Sequence, residues 1–343
     1  MEHKEWKLKA LTDIWTGDEE RRGDRLVPTG LMGSLRWWFE VLVRGLGGKA
    51  CDPTLDGVRC PDANKNPPDP GHHCVVCELF GCTGWARKFR LMVVNENGQI
   101  IHGQIKAGQT FILRFIPLRP IAPEEWCLLD ATLCLIANCG AIGGKTVFKP
   151  SDQPYRKDKF HHQDFGLVRI EGRPDQPRCT REHLKTYIHD SRWRRDFMDE
   201  SFSWASLTNF WCVKERYLAR KDDHTSSYNF VIGRPEPKSQ SSQGDSWLAG
   251  RRARGQPNPQ EPESKKVFSF KEPESARRTF GFVRNQQEFS SILHRLLTLK
   301  NGGGNNRPSD PVWRSFDPDD PERGFLKGEK ILEQLFRCTE REG

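Results

Sequence analysis

The sequence predicts an α+β protein built as two domains. Three observations lead there. Two segments have the 3.6-residue periodicity of amphipathic helices, at residues 28–45 and 123–139. Between and around them lie short runs with strand patterning, at residues 6–10 (WKLKA), 84–94 and 110–116 (TFILRFI). The length, 343 residues, suits one large domain or two moderate ones, and helix and strand signals recur in both halves. The expected domains are residues 1–170 and 171–343, the first with an insertion at about 49–82 and the second with an unstructured insertion at about 233–266.

The first helix is the strongest element. Leu31, Leu35, Trp38, Leu42 and Leu46 follow at steps of four, three, four and four, which makes one buried stripe. Pro28 and Thr29 mark its start, with Thr29 as the expected N-cap, and Gly45, Gly47 and Gly48 end it. Arg36 and Arg44 lie off the stripe. A helix start rich in glycine and hydroxyls, with an arginine one turn in, can hold a phosphate. The plainer reading of Arg36 is an ion pair with Glu40 on the same helix face.

Lys plus Arg number 54 against 46 Asp plus Glu, a formal charge of +8 that suits a polyanionic partner without requiring one. No apolar run approaches the roughly 20 residues of a membrane span, and the charged opening MEHKEWKLKA has no signal-peptide core, so a cytoplasmic setting is expected. Eleven cysteines, an odd number without a secretory signal, argue for a reducing compartment rather than a disulfide framework.

Four of those cysteines, Cys51, Cys60, Cys74 and Cys77, fall in the insertion after the first helix. The pair Cys74-Val-Val-Cys77 is a knuckle that can present two thiolates to one tetrahedral ion, and the intervening PDANKNPPDPGHH cannot build a core of its own. Structural zinc is the expected cofactor, with Cys82 or His73 as alternatives to Cys51. After the insertion, Trp85, Arg87, Lys88 and Arg90 interleave aromatic and basic groups, either as a nucleic-acid surface or as a basic sheet edge. The mixed charges at residues 18–24 read as a solvated loop rather than a metal site.

Three ordered motifs carry a resemblance: LTDIWTG at 11–17, PTGLMGSLRWWF at 28–39 and LFGCTGWARK at 79–88. Together they resemble the RAMP proteins of CRISPR effector complexes, and among them the subunit-one family of the Cmr (type III-B) module. The resemblance covers residues 5–170 and thins beyond. It implies ferredoxin-like (RRM-like) domains and a place in an RNA-guided, RNA-targeting complex of antiviral defence. It also implies guide CRISPR RNA, complementary target RNA and other RAMP subunits as partners. The segment GAIGGKTVFK at 140–149 has too few residues between its glycines for a phosphate-binding P-loop and follows a helix rather than a strand. It is similar instead to the glycine-rich loop of RAMP proteins, although the basic cluster after it is reduced to Lys145 and Lys149. A helix C-cap with a tight turn is the plainer alternative.

The RNA-contact residues implied are Thr29, Gly30, Ser34, Arg36, Arg87, Lys88, Gly143, Gly144, Lys145 and Lys149, acting by positioning rather than chemistry. A RAMP-type endoribonuclease is the competing class, and a scaffold without RNA contact is a third. Residues 155–170 read as a basic loop, and residues 183–219 as mainly helical. Strands are expected at 267–270 and 279–284, a helix at 287–299, and a closing helix at 328–336 docked on the last domain. Residues 251–254 (RRAR) are a further candidate contact.

Overall fold

Two four-stranded antiparallel sheets organise the chain, in the orders β2-β3-β1-β4 and β6-β7-β5-β8. This is a computed structural model describing residues 2–18, 20, 22–52, 55, 57–144, 150–156, 159–197, 202–221, 226–234, 247–250, 264–303 and 309–340, the last four without side chains. Lys145, Lys149, Lys157 and residues 251–254 lie outside the described residues.

The first unit comprises residues 1–145, 166–208 and 328–343. Its sheet is β1 (Lys4–Ala10), β2 (Phe89–Val94), β3 (Thr110–Pro117) and β4 (Val168–Gly172). Its helices are α1 (Pro28–Gly45), α2 (Val75–Phe80), α3 (Pro123–Cys139), α4 (Arg181–Ile188) and α7 (Gly328–Glu340). The expected stripe on α1 is buried at all five positions. It packs, with α3, on the face of the sheet that carries Trp6, Leu8, Phe111, Leu113 and Phe115. β1 alternates half-buried and buried residues along its second half, as a strand with one face on a core must. α3 opens on Pro123, and Glu125 reaches back to accept the Ala122 N–H at 2.7 Å.

The second unit comprises residues 146–165 and 209–327. It contains β5 (Phe210–Lys214), α5 (Ser227–Val231), β6 (Val267–Phe270), β7 (Arg278–Phe282), α6 (Gln286–Asn301) and β8 (Leu326–Lys327). Trp211, Tyr228, Val267, Phe289, Leu296 and Trp313 are central to its core. Both units thus run strand, helix, strand, strand, helix, strand, with the third strand paired to both the first and the second.

Several expectations are corrected. Among the described residues, the run 183–219 is α-helical only at α4, has a 3-10 turn at Leu207–Asn209, and contains β5. Its first four residues are buried, so the strand has no polar alternation to betray it. The closing helix α7 belongs to the first unit, where it packs on α3 and Glu329 pairs with Arg181 at 2.7 Å. The N-cap of α1 is Val27, without a side-chain cap, and exposed Thr29 sits one residue inside the helix. Cys127 and Cys179 form a disulfide between α3 and the segment leading into α4, while the other described cysteines are free, so a single bond stands where a reducing compartment and no disulfide framework were expected.

Candidate nucleic-acid cradle and cysteine centre

The start of α1 and the glycine loop after α3 meet on the backbone of Trp15 and Thr16. The Gly144 N–H donates to the Trp15 carbonyl at 2.9 Å, and the Gly143 N–H donates to Ser34 Oγ at 3.1 Å. Thr16 Oγ1 accepts the Val27 N–H at 2.8 Å, which fixes the entry to the helix. The approach is too close for side chains. A Cβ at Gly30 would lie 2.8 Å from the Thr16 carbonyl oxygen, and one at Gly144 would lie 2.7 Å from it. Gly143 also has φ +115°, where residues with a Cβ are strained. Trp38 holds the loop from the other side, its Nε1 donating to the Ala141 carbonyl at 2.8 Å.

Three segments separated in sequence therefore form one narrow cradle, with Thr29, Gly33 and Gly144 exposed and Ser34 half-buried. A Cβ at Gly33 would meet nothing within 4 Å. The first turn of α1 carries no acidic residue. Such a surface of backbone, hydroxyls and glycine at a helix N-terminus lets a phosphodiester chain approach closely. The turn is less open than a free helix start: Pro28 has no N–H, and the Gly30 and Leu31 N–H groups both point at the Val27 carbonyl.

The cysteine centre lies on the opposite side of α1. Cys51, Cys60, Cys74 and Cys77 are buried, with their sulfurs all within 4.8 Å of one another. Four sulfurs about 2.3 Å from a tetrahedral zinc ion are separated by about 3.8 Å, so the cluster fits that ion. Cys74 is the N-cap of α2 and Cys77 its third residue, so the knuckle is the start of a helix. Burial opposes a thiolate at Cys74, but hydrogen bonds from Cys51, Cys60 and Cys77 outweigh it and hold the group well below the ordinary thiol range. Hydrogen bonding among the cysteines leaves Cys60 pushed up. Cys82 is half-buried and hydrogen-bonds to Cys77 from outside the cluster. Both ring nitrogens of His73 are engaged, Nδ1 with His72 and Nε2 with Glu78, each at 2.8 Å.

Arg36 joins this centre rather than the cradle. Its Nε donates to Glu40 Oε1 at 2.9 Å, Nη1 to the Gly81 carbonyl at 2.8 Å, and Nη2 to Cys77 Sγ at 3.2 Å. All three nitrogens are committed inside the protein, which is the ion-pair arrangement with Glu40 extended to the thiols. Lys88 is likewise turned inward. Its Nζ lies 2.5 Å from Glu78 Oε1 and 2.8 Å from Glu125 Oε2, and the side chain is buried. Burial raises the Glu125 carboxyl above its usual range despite that ammonium. The phosphate-contact expectation for Arg36 and Lys88 is not what their side chains do here. Arg87 and Arg90 are exposed, on and beside the edge strand β2, and Arg119 stacks over Trp85 at 4.4 Å.

Sequence reasoning missed the Trp15–Thr16 backbone as the floor of the cradle, and the buried chain His73–Glu78–Lys88–Glu125. Glutamates at 78 and 125, each N-terminal in its own helix, were the available signal for the latter.

Residues 7–148, the stretch that carries the cradle and the cysteine centre, match the model of the RAMP superfamily. Among solved structures, the chain is similar to Cmr1 from Pyrococcus furiosus in its apo form, with 11% identity over 86% of this chain and 97% of that one and a TM-score of 0.40. It is similar to a chain of the type III-B Cmr-beta complex bound to cognate target RNA, with 12% identity, 86% and 98% coverage and a TM-score of 0.43. It is also similar to a chain of a type IV-B CRISPR complex, with 15% identity, 55% and 100% coverage and a TM-score of 0.34. No curated protein matches the chain by sequence.

Proposed function

We propose that the chain is the subunit-one RAMP protein of a type III-B CRISPR effector complex, and that it holds the 3′ part of the guide RNA and its duplex with target RNA without cutting either. The observation that carries this reading is the convergence of three motif segments, 11–17, 28–39 and 140–144, on one glycine-lined cradle within the RAMP match. Thr29, Gly30, Ser34, Gly143 and Gly144 form its walls, and Arg87 adds charge from the exposed edge. Lys145 and Lys149, which follow Gly144 in the sequence, are further proposed contacts. The shared strand order of the two sheets supports reading both units as ferredoxin-like domains. Cys51, Cys60, Cys74 and Cys77 would hold zinc, which supplies no reaction chemistry and ties the insertion to α1. Other RAMP subunits are its protein partners, in the cytoplasm.

Gly33 gives the test. Gly33→Ala adds a methyl group into open space, whereas Gly33→Glu places an anion on the cradle rim. Filter binding of a labelled guide RNA should show Gly33→Ala near wild type and Gly33→Glu about tenfold weaker, since one misplaced charge is worth roughly 1 kcal/mol or more in such a site. Equal affinity of all three proteins would move the RNA elsewhere. Cleavage of guide or target RNA that survives repurification would favour the endoribonuclease reading instead.

A further inference from the structure

We propose that the second unit holds a binding site for a terminal phosphate monoester, as on a mononucleotide or the end of an RNA strand, with Arg216 as the anchoring cation. The site lies wholly within the second unit and is independent of the cradle. A cavity of about 460 Å³ is lined by Glu215, Arg216, Glu274, Ser275 and Arg277, with Pro311 and Val312 as an apolar wall. That volume suits a small organic ligand and exceeds what a bare phosphate fills.

Three chain segments fix the cavity. β5 ends at Lys214, and Glu215 then turns the chain at φ +62°, the only left-handed residue other than glycine among the described residues. That conformation is strained for a residue with a Cβ, and such strain collects at ligand sites. The Glu215 N–H donates to the Arg277 carbonyl at 2.7 Å, and Thr279 Oγ1 donates to the Arg216 carbonyl at 3.1 Å, so Arg216 and Arg277 sit on segments bonded to each other. The third segment carries Pro311 and Val312. Trp313 anchors it: the ring is fully buried, and its Nε1 donates to the Tyr217 carbonyl at 3.0 Å.

The charges around the cavity compensate one another except at Arg216. Arg277 Nη1 donates to Glu274 Oε1 at 2.5 Å, and Glu215 pairs with Arg323 at 3.2 Å. Among the described residues, Arg216 has no carboxylate within ion-pair distance, and its guanidinium has one partner, Ser315 Oγ at 2.9 Å from Nη2. Burial works against the charge of Arg216, and Glu215 alone acts the other way. A half-buried guanidinium with most of its N–H donors unused is set up for an oxyanion. Arg277 Nη2 and the Ser275 hydroxyl, neither hydrogen-bonded among the described residues, add donors from the same lining. The fork of Arg216 alone would satisfy a carboxylate; a phosphate has oxygens for the other donors as well. Glu215 and Glu274 are exposed, so a strand running through the cavity would bring neighbouring phosphates against both acids. A single nucleotide or a chain end avoids that repulsion.

The experiment titrates adenosine and uridine 5′-monophosphates, and the two nucleosides, into full-length wild type, Arg216→Ala, Arg216→Lys and Ser275→Ala in a calorimeter, with circular dichroism to confirm folding. Wild type should bind at least one monophosphate about tenfold or more tighter than its nucleoside. Arg216→Ala should abolish that preference, Ser275→Ala should reduce it, and Arg216→Lys should keep only part of it, because an ammonium cannot present a planar fork. Competition with a short RNA carrying a 5′-phosphate, a 3′-phosphate or neither then identifies the source. Displacement of the monophosphate by a phosphorylated end alone supports an RNA terminus as ligand, and displacement by none of the strands supports a free mononucleotide. Displacement by the unphosphorylated strand as well would mean that internal phosphates enter, and would overturn the terminal-phosphate assignment. Equal affinity of wild type for monophosphates and nucleosides, or unchanged monophosphate binding by folded Arg216→Ala, would overturn the site and leave the cradle untouched.

Discussion

Arg36 Nη2 lies 3.2 Å from Cys77 Sγ while its Nε holds Glu40, so one guanidinium links the first helix to the cysteine centre. Glu40 is almost wholly buried, and burial raises its carboxyl even with Arg36 and Arg44 beside it. Arg36→Ala would leave that carboxyl without its nearest cation, a change worth about 3 kcal/mol. It would also remove a donor from a tetrathiolate whose negative charge exceeds that of a divalent ion. The variant should melt earlier and lose zinc to a chelator about tenfold faster or more, with RNA affinity and salt slope unchanged in the folded fraction. Arg36→Lys should behave nearly as badly, because one ammonium cannot serve Glu40, the Gly81 carbonyl and Cys77 together. Normal zinc retention with a salt slope reduced by about one would return Arg36 to the phosphate site.

The metal itself is tested by Cys74→Ser. Purified wild type should carry about one zinc per chain in a four-sulfur environment, visible in X-ray absorption. The variant should carry little, and proteolysis should then open the segment around residues 57–73. Zinc-free wild type of unchanged stability and protease resistance would remove the ion from this reading.

How much of this was legible in the sequence follows from what each signal depends on. α1 and α3 were read at their observed positions because helix periodicity, Pro28 and Pro123 are local facts. The four-cysteine set was readable because a knuckle must close on other thiols, and a coreless insertion needs closure. Thr29, Ser34, Gly143 and Gly144 were each named, but that they share one floor depends on the path of Trp15 and Thr16, which no local pattern records. Arg36 and Lys88 look like any surface cation in sequence. Their burial follows from Glu40, Glu78 and Glu125 being carried inward by three different helices. The expected boundary at residue 170 falls inside β4, and nothing local shows residues 146–165 grouping with the second unit or α7 returning to the first, since helix amphipathicity names a face and not its partner.

Lys88 and Arg87 are neighbours with opposite expectations. Lys88→Met leaves Glu78 and Glu125 facing each other without a cation, and chemical denaturation should show a loss of about 3 kcal/mol. RNA binding by the folded protein should not change. Arg87→Ala should leave stability within about 0.5 kcal/mol and weaken RNA binding, with a lower salt slope. The reverse pattern would mean that the cluster opens to the surface in solution.

Asp164 gives the second unit a pH dependence of definite sign. Burial pushes its carboxyl up to about 7, against the two backbone N–H groups at Oδ2 that favour the anion. Oδ1 is shut from solvent and has no hydrogen-bond partner among the described residues. Lys271 and Glu272 are the charged groups nearest it, and they act in opposite directions. In the unfolded chain the same group titrates near 3.9. Between about pH 4 and 7 the native state therefore holds a proton that the unfolded state has released, so stability falls as pH rises through that window and levels off above it. Asp164→Asn keeps an oxygen for the two N–H groups and does not titrate. The variant's stability relative to wild type, measured by urea unfolding, should grow from pH 4 to 7 and then stay constant. A difference that does not vary with pH would mean that Asp164 titrates as an ordinary surface carboxylate.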